Sequence, residues 1–285
     1  MPELPDRISL LGDVQLARGH EFVPAKDAAT VMLLREREGE LQVFLQRRVT
    51  GMAFAGGMTV FPGGGVDRRD SDVSVAWSGP DPDWWADVFG CHRGLARALV
   101  CAAVRETFEE CGVLLAGPDP QPPASHAVVA DAFRYAEGRA ALESRELSLA
   151  AFLAEHGLVL RADLLRPWSN WVTPEEEPRR YDARFFLAVM PSGQRADGAT
   201  SEADGAGWIS PEKALARWRA REVGLLPPTW VTLTELAECG SLDAAIGTQR
   251  TIEKIMPKVI RDGGRIRMVL PGDPRYSGAV GYLEP

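Results

Sequence analysis

The chain has 285 residues, 45% of them hydrophobic and 25% charged, an ordinary globular composition that permits one large domain or two small ones. A net charge of −8 argues against a general nucleic-acid binder, which would carry a basic face. It leaves room for an anionic small molecule, because a metal ion can supply the missing positive charge. Cys91, Cys101, Cys111 and Cys239 form no CxxC pair and no ligand pattern with His20, His92, His126 or His156. Neither a structural zinc site nor a disulfide framework is therefore expected. The start lacks a charged segment followed by an apolar run, and no apolar stretch approaches the ~20 residues of a membrane span. A cytoplasmic protein with no nucleic-acid and no membrane partner is expected.

In chain order, residues 28–49 read as two strands joined by a tight turn at Glu38-Gly39-Glu40. A glycine-rich segment follows around a short strand, Met58 to Phe61, ending in "FPGGGVD". Residues 68–93 have loop composition but carry Trp77, Trp84, Trp85 and Phe89, too many aromatics for a plain linker, so they read as an ordered insertion. Helix signals run from Gly94 to Cys111, with Gly112 as the stop. Residues 117–157 read as a second insertion, a proline-rich loop leading into helical sequence from His126 to His156. "WSNWVTP" and "RRYDARFFLAVM" have strand composition. A C-terminal extension, 212–285, opens with a helix capped by Ser210 and started by Pro211. It continues with a helix near 228–246 and a strand or hairpin in "GGRIRMVLPGDPRY". No composition break marks a boundary, and one α/β domain over 1–285 is expected.

The stretch "AAVRETFEECGVLL" carries the chemistry. Glu106, Glu109 and Glu110 are spaced i, i+3, i+4, so their carboxylates share one helical face and repel one another. At 100° per residue Leu95, Ala98, Leu99 and Ala102 lie on that face too, while Val104, Phe108 and Cys111 lie opposite. An apolar stripe that ends in clustered acids points into protein or a cleft, where the acids either meet a hard cation or are a solvated helix end tied down by Arg105.

Together with the upstream Phe-Pro-Gly-Gly, "RETFEECGV" (105–113) resembles the signature of the Nudix hydrolases: Gly, five residues, Glu, seven residues, then Arg-Glu-(apolar)-x-Glu-Glu-x-Gly-(apolar). Thr107 replaces the apolar residue, and the two halves lie one insertion too far apart. Counting back from Arg105 reaches Arg97 where the signature has its first glutamate. The resemblance implies a Nudix fold, an α/β/α sandwich around a mixed sheet, and hydrolysis of a nucleoside-linked diphosphate with Mg²⁺ or Mn²⁺. It implies Arg105, Glu106 and Glu109 as catalytic residues. The metal would be held by Glu106, Glu109, Glu110 and the Gly63 carbonyl. The resemblance implies Glu202, six residues before Trp208, as a further ligand, the alternative being a merely solvated acid; Asp204 is its neighbour and competitor.

The insertion within the signature and "NWVTPEEEPRRYDARFF" resemble the coenzyme A diphosphatase branch. The branch's coenzyme A motif is matched in part, by Arg48, Gly57 and the "FPGG" run, with Val49 and Ala53 departing from it. The implied substrate residues are Arg48, Phe61, Gly64 and Arg180; Arg47, Arg179 and Arg184 are further phosphate candidates, and Trp168, Trp171 and Tyr181 could stack a base. Three readings stand. The first is hydrolysis of coenzyme A or acyl-coenzyme A to 3′,5′-ADP and (acyl-)4′-phosphopantetheine. The second is the same chemistry on ADP-ribose, a dinucleotide or another nucleoside diphosphate derivative. The third is a catalytically silent ligand-binding module. The insertion's aromatics are expected to pack on this chain, on a second copy in a homodimer, or on the substrate as a lid.

Overall fold

The run Ala28–Leu34 has no polar alternation except Thr30, the pattern of a strand buried on both faces. In a computed structural model that describes residues 1–9, 23–52, 54–118, 127–262 and 265–277, this run lies at the centre of the main sheet. In chain order the elements begin with α1 (Asp6–Ser9), β1 (Lys26–Arg37), β2 (Glu40–Arg48), β3 (Met58–Val60) and β4 (Gly63–Gly65). Then come β5 (Trp77–Ser78), α2 (Pro82–Phe89), α3 (Arg93–Cys111), β6 (Ala116–Pro118), α4 (Ala136–Glu143), α5 (Leu149–Glu155) and β7 (Leu158–Arg161). The rest is β8 (Leu165–Val172), β9 (Tyr181–Val189), β10 (Ala203–Ile209), α6 (Pro211–Arg219), β11 (Gly224–Leu225), α7 (Pro227–Cys239), α8 (Leu242–Gly247), β12 (Lys254–Ile255), β13 (Lys258–Asp262) and β14 (Arg265–Val269).

The main mixed sheet runs β11-β3-β2-β1-β9-β8-β12, with β10 beside β2 and β4 beside the first half of β1. β1 and β9 are parallel, from Lys26 opposite Tyr181 to Leu34 opposite Val189. Side chains alternate across β1: Val31 and Leu33 enter one apolar core with α2 and α3, whereas Met32 and Leu34 enter a second with α6 and α7. Helices thus cover both faces, the expected α/β/α sandwich.

α3 is buried nearly all round, because β1 and β4 of the main sheet, helices α2 and α4 and the turn at 68–71 all pack on it; β5-β7-β6 form a second small sheet. The insertion is ordered, as expected, but it is not loop: Asp81 caps α2, Pro82 starts it, and Trp85 packs on Phe89 and Phe186. The expected helix near 228–246 is two helices, interrupted where Gly240 adopts a left-handed conformation. Ser210 stands at the N-cap of α6, but its hydroxyl makes no capping bond. The C-terminal hairpin is β13–β14. His20, Ala53 and His126 lie outside the described residues. Among the described residues no helix is long and apolar enough to cross a membrane.

Candidate active site

His92 caps α3 through Nδ1, which accepts from the Leu95 amide, and Gly112 ends it with φ 68°. One face of the last two turns presents Glu106, Glu109 and Glu110 to the ends of β2 and β4. Glu110 is buried, and its Oε2 accepts from the Gly63 amide at 2.8 Å and from the Gln46 side-chain amide. Glu106 rests on Gly64, where an added Cβ would stand 2.5 Å from Oε1, so a side chain there would displace the carboxylate from this place. Gly63 meets the cluster through its N–H, whereas the sequence reading assigned its carbonyl.

Arg105 organises the group. Its Nη1 donates to Glu106 Oε1 at 2.8 Å and to Glu109 Oε2 at 3.1 Å, and its Nη2 donates to the Gly65 carbonyl. The other side of the guanidinium forms a two-pronged pair with Asp70, both bonds 3.0 Å. Asp70 is 1% exposed and sits in a 3₁₀ turn, Arg68–Ser71, capped by Asp67. Sequence reading missed Asp70. The signal was present: counting forward from Gly64 across five residues reaches Asp70, whereas counting back from Arg105 crosses the insertion and reaches Arg97. Arg97 instead donates to the carbonyls of Asp72, Val73 and Val75, pinning the chain just after the turn.

Three carboxylates, Asp70, Glu106 and Glu109, share this one guanidinium, and a fourth, Glu110, is held by the Gly63 and Gln46 amides. Burial is the largest influence pushing Glu106 and Glu110 above the ordinary carboxylate range; the Glu109 charge adds to it for Glu106, and the Glu106 and Glu202 charges for Glu110. Burial also raises Glu109, against the pull of Arg105.

The other expected residues divide. Glu202, just before β10, and Arg48 of β2 meet as an ion pair at 3.0 Å, and Arg47 pairs with Asp204 at 2.6 Å beside a bulge between Ala203 and Gly205. Glu202 is half exposed. Arg180 is buried and donates to the backbone carbonyls of Val23, Thr173 and Pro174, so its fork holds chain segments together, contrary to the phosphate role expected of it. Arg184 is likewise tied to Asp27 and Asp182, while Arg179 is exposed. Phe61, expected among the substrate residues, packs its ring edge-on to Phe185 inside the second core. Trp168 and Trp171 are core residues too. Tyr181 is partly exposed and packs on Phe54.

Among the described residues, no three carboxylate, imidazole or thiolate groups converge as ligands of one ion in the arrangement present; Arg105, Gly63 and Gln46 each engage one oxygen of a glutamate of the cluster. The donor set nevertheless suits a hard divalent cation. It is all oxygen and carries surplus negative charge, and Glu109 Oε1 is buried with no hydrogen-bond partner.

Comparison with known proteins agrees with this chemistry. Residues 94–236 match the family model described as the NUDT19 Nudix domain. The acyl-coenzyme A diphosphatase NUDT19 of Gallus gallus is 27% identical over 278 residues, covering 82% of this chain and 72% of the relative. That of Homo sapiens is 26% identical over 292 residues, covering 85% and 74%. The crystal structure of a NUDIX hydrolase from Alicyclobacillus acidocaldarius superposes with a TM-score of 0.62 at 28% identity, covering 80% of this chain and 98% of that one.

Proposed function

The chain belongs to the Nudix hydrolase family and is a diphosphatase of that family, and from this premise we propose that it cleaves the diphosphate of coenzyme A or acyl-coenzyme A. Water adds across the P–O–P anhydride, giving 3′,5′-ADP and (acyl-)4′-phosphopantetheine. The observation that carries the reading is the buried glutamate face of α3 around Arg105, in a chain whose relatives are named acyl-coenzyme A diphosphatases.

Nudix hydrolases generally use divalent metal; we propose Mg²⁺ or Mn²⁺ held by Glu106, Glu109 and Glu110, with Glu202 joining from β10's leading loop. When bound, the ion neutralises diphosphate charge and lowers the pKa of water. The chain's own residues do the rest. Arg105, fixed on one side by Asp70, orients Glu106 and Glu109 from the other. The Gly63 amide and Gln46 hold Glu110 in place. Glu106, set between the Arg105 guanidinium and Gly64, is a further ligand or the group that orients the attacking water. Arg48 lies at the rim, 15% exposed, and can exchange Glu202 for a substrate phosphate. The partner is then a small nucleotide, and a cytoplasmic location belongs to the same proposal.

The test is to incubate the protein with coenzyme A, an acyl-coenzyme A, ADP-ribose and a dinucleotide, with and without Mn²⁺, and to follow products by chromatography. Metal-dependent 3′,5′-ADP release supports the reading. Cleavage of ADP-ribose alone favours the second reading, and no cleavage of any of them favours a ligand-binding module.

A further inference from the structure

The loop that carries Glu202 is gripped by a helix outside the signature. Arg139 and Glu143 stand one turn apart on α4, on one face. Arg139 Nε donates at 3.0 Å to the carbonyl of Glu109, one of the last-turn carbonyls of α3 that lack a helical partner. Its Nη1 pairs with Asp197 at 2.9 Å, and its Nη2 donates to the Ala199 carbonyl at 3.2 Å. Gly112 makes room for this, since a Cβ there would stand 2.7 Å from Arg139 Nη1. Asp197 also donates its amide to the Cys111 carbonyl.

Glu143 holds the far end of the same loop. Its Oε1 accepts from the Ser201 amide at 3.2 Å and the Ser201 hydroxyl at 3.0 Å, with Thr200 Oγ1 at 3.4 Å. Thr200 Oγ1 in turn accepts from the amide of Glu202. On the other side of Glu202, its carbonyl accepts from the Val49 amide. One helix therefore touches both the turn that bears Glu109 and the loop that bears Glu202, through two side chains that make no contact with Glu202's own carboxylate.

We propose that Arg139 and Glu143 are positioning residues of the hydrolase site: α4 fixes the Glu202 loop against the end of α3, so that Glu202 and the α3 glutamates can serve one ion. The inference rests on the function proposed above. It assigns the insertion between β6 and β7 a part in the active site, which its distance in sequence from the signature does not suggest.

The test uses Glu143→Ala, because Glu143 is exposed and its loss leaves the core untouched. Mn²⁺ affinity of the substrate-free protein is measured by electron paramagnetic resonance, and amide exchange is followed across 197–203. Expected are an Mn²⁺ dissociation constant about fivefold higher, faster exchange at Ser201 and Glu202, and a lower kcat with unchanged KM, with Glu143→Gln recovering most of each. In a Glu202→Gln background the same substitution should produce no further loss of Mn²⁺ affinity, the mark of coupled residues. Unchanged Mn²⁺ affinity in Glu143→Ala, or an equal loss with and without Glu202, overturns the proposal. If the wild type binds Mn²⁺ and the coupling is found while no diphosphate is cleaved, the functional reading fails and the positioning role stands. A wild type that binds no Mn²⁺ overturns both.

Discussion

At the scale of the residue, the site depends on one arginine neutralising more than its share of carboxylate. Asp70 and Arg105 form a buried pair whose geometry fixes where Arg105 points. Removing one member of such a pair costs about 3–5 kcal/mol, because the other charge stays buried. Asp70→Ala should therefore lower the melting temperature and kcat together, and Asp70→Glu, which restores the residue type of the family signature, should recover part of each; thermal scans and steady-state rates check this. Glu110→Gln keeps the shape and the Gly63 contact but removes a charge. It should lower kcat by about 100-fold or more, the scale of losing one preorganised electrostatic group, while the protein stays folded. Wild-type turnover of Glu110→Gln at saturating Mn²⁺ would remove Glu110 from the metal site. The pH dependence follows from the raised carboxyls. A glutamate whose folded pKa exceeds its unfolded one keeps its proton longer in the native state, so native stability falls as pH rises above the ordinary value of 4.5 toward the raised values. The metal-free protein should therefore lose melting temperature between pH 5 and neutrality by this contribution, and Mn²⁺ should restore more at pH 8 than at pH 5, because binding displaces those protons.

At the scale of the element, α3 was legible almost to the residue. "RETFEECG" supplies helix formers, a one-face acid pattern and a glycine stop, and the observed helix is Arg93–Cys111. The insertion was legible as ordered but not as structure. α2 is only two turns long and rich in Asp, Pro and Trp, although Asp81-Pro82 is a cap followed by a first-turn proline. Asp70 was hidden because spacing counted through an insertion has no fixed register, and the Glu143 contact because nothing in sequence links residue 143 to Ser201. Strands of two to four residues such as β5, β6 and β7 carry too little periodicity to read. The insertion's aromatics also change what can be done with it. Trp85 is fully buried and its ring lies 5.5 Å from that of Phe186 in β9, so excising 71–89 would open the core. Trp85→Ala should cost about 3–5 kcal/mol, a large part of a typical domain's stability, with a matching drop in denaturation midpoint in urea. Trp84, 44% exposed, and Val73, 85% exposed, are what the insertion leaves in water. A homodimer built on those two alone would fall well short of the roughly 800 Å² per partner of a stable interface. Trp84→Ala should leave stability nearly unchanged, and a shift in acyl-chain preference would identify that ring as part of the substrate's path.

At the scale of the whole molecule, an acidic protein has to attract a polyanionic substrate. The formal charge of −8 opposes it, and the α3 face adds to the opposition until a cation is bound. The arginines of β2 are the local counterweight, yet both are paired: Arg47 with Asp204 and Arg48 with Glu202. Arg48 differs from Arg47 in being largely enclosed, and its Nε is buried without a hydrogen-bond partner. A phosphate that took over Arg48 would satisfy that nitrogen and release Glu202 toward the α3 acids, so binding and completion of the site would be one event. The 3′-phosphate of coenzyme A is the group that ADP-ribose and dephospho-coenzyme A lack. A charge-assisted hydrogen bond contributes about 1.5–3 kcal/mol, so coenzyme A should exceed dephospho-coenzyme A in kcat/KM by roughly 10- to 100-fold. Arg48→Met should erase that ratio while leaving the dephospho compound's rate much less affected. Equal kcat/KM for the two compounds in the wild type would show that Arg48 does not read the 3′-phosphate. A higher value for ADP-ribose than for either would move the substrate assignment to the broader class of nucleoside diphosphate derivatives, with the same glutamate face doing the hydrolysis.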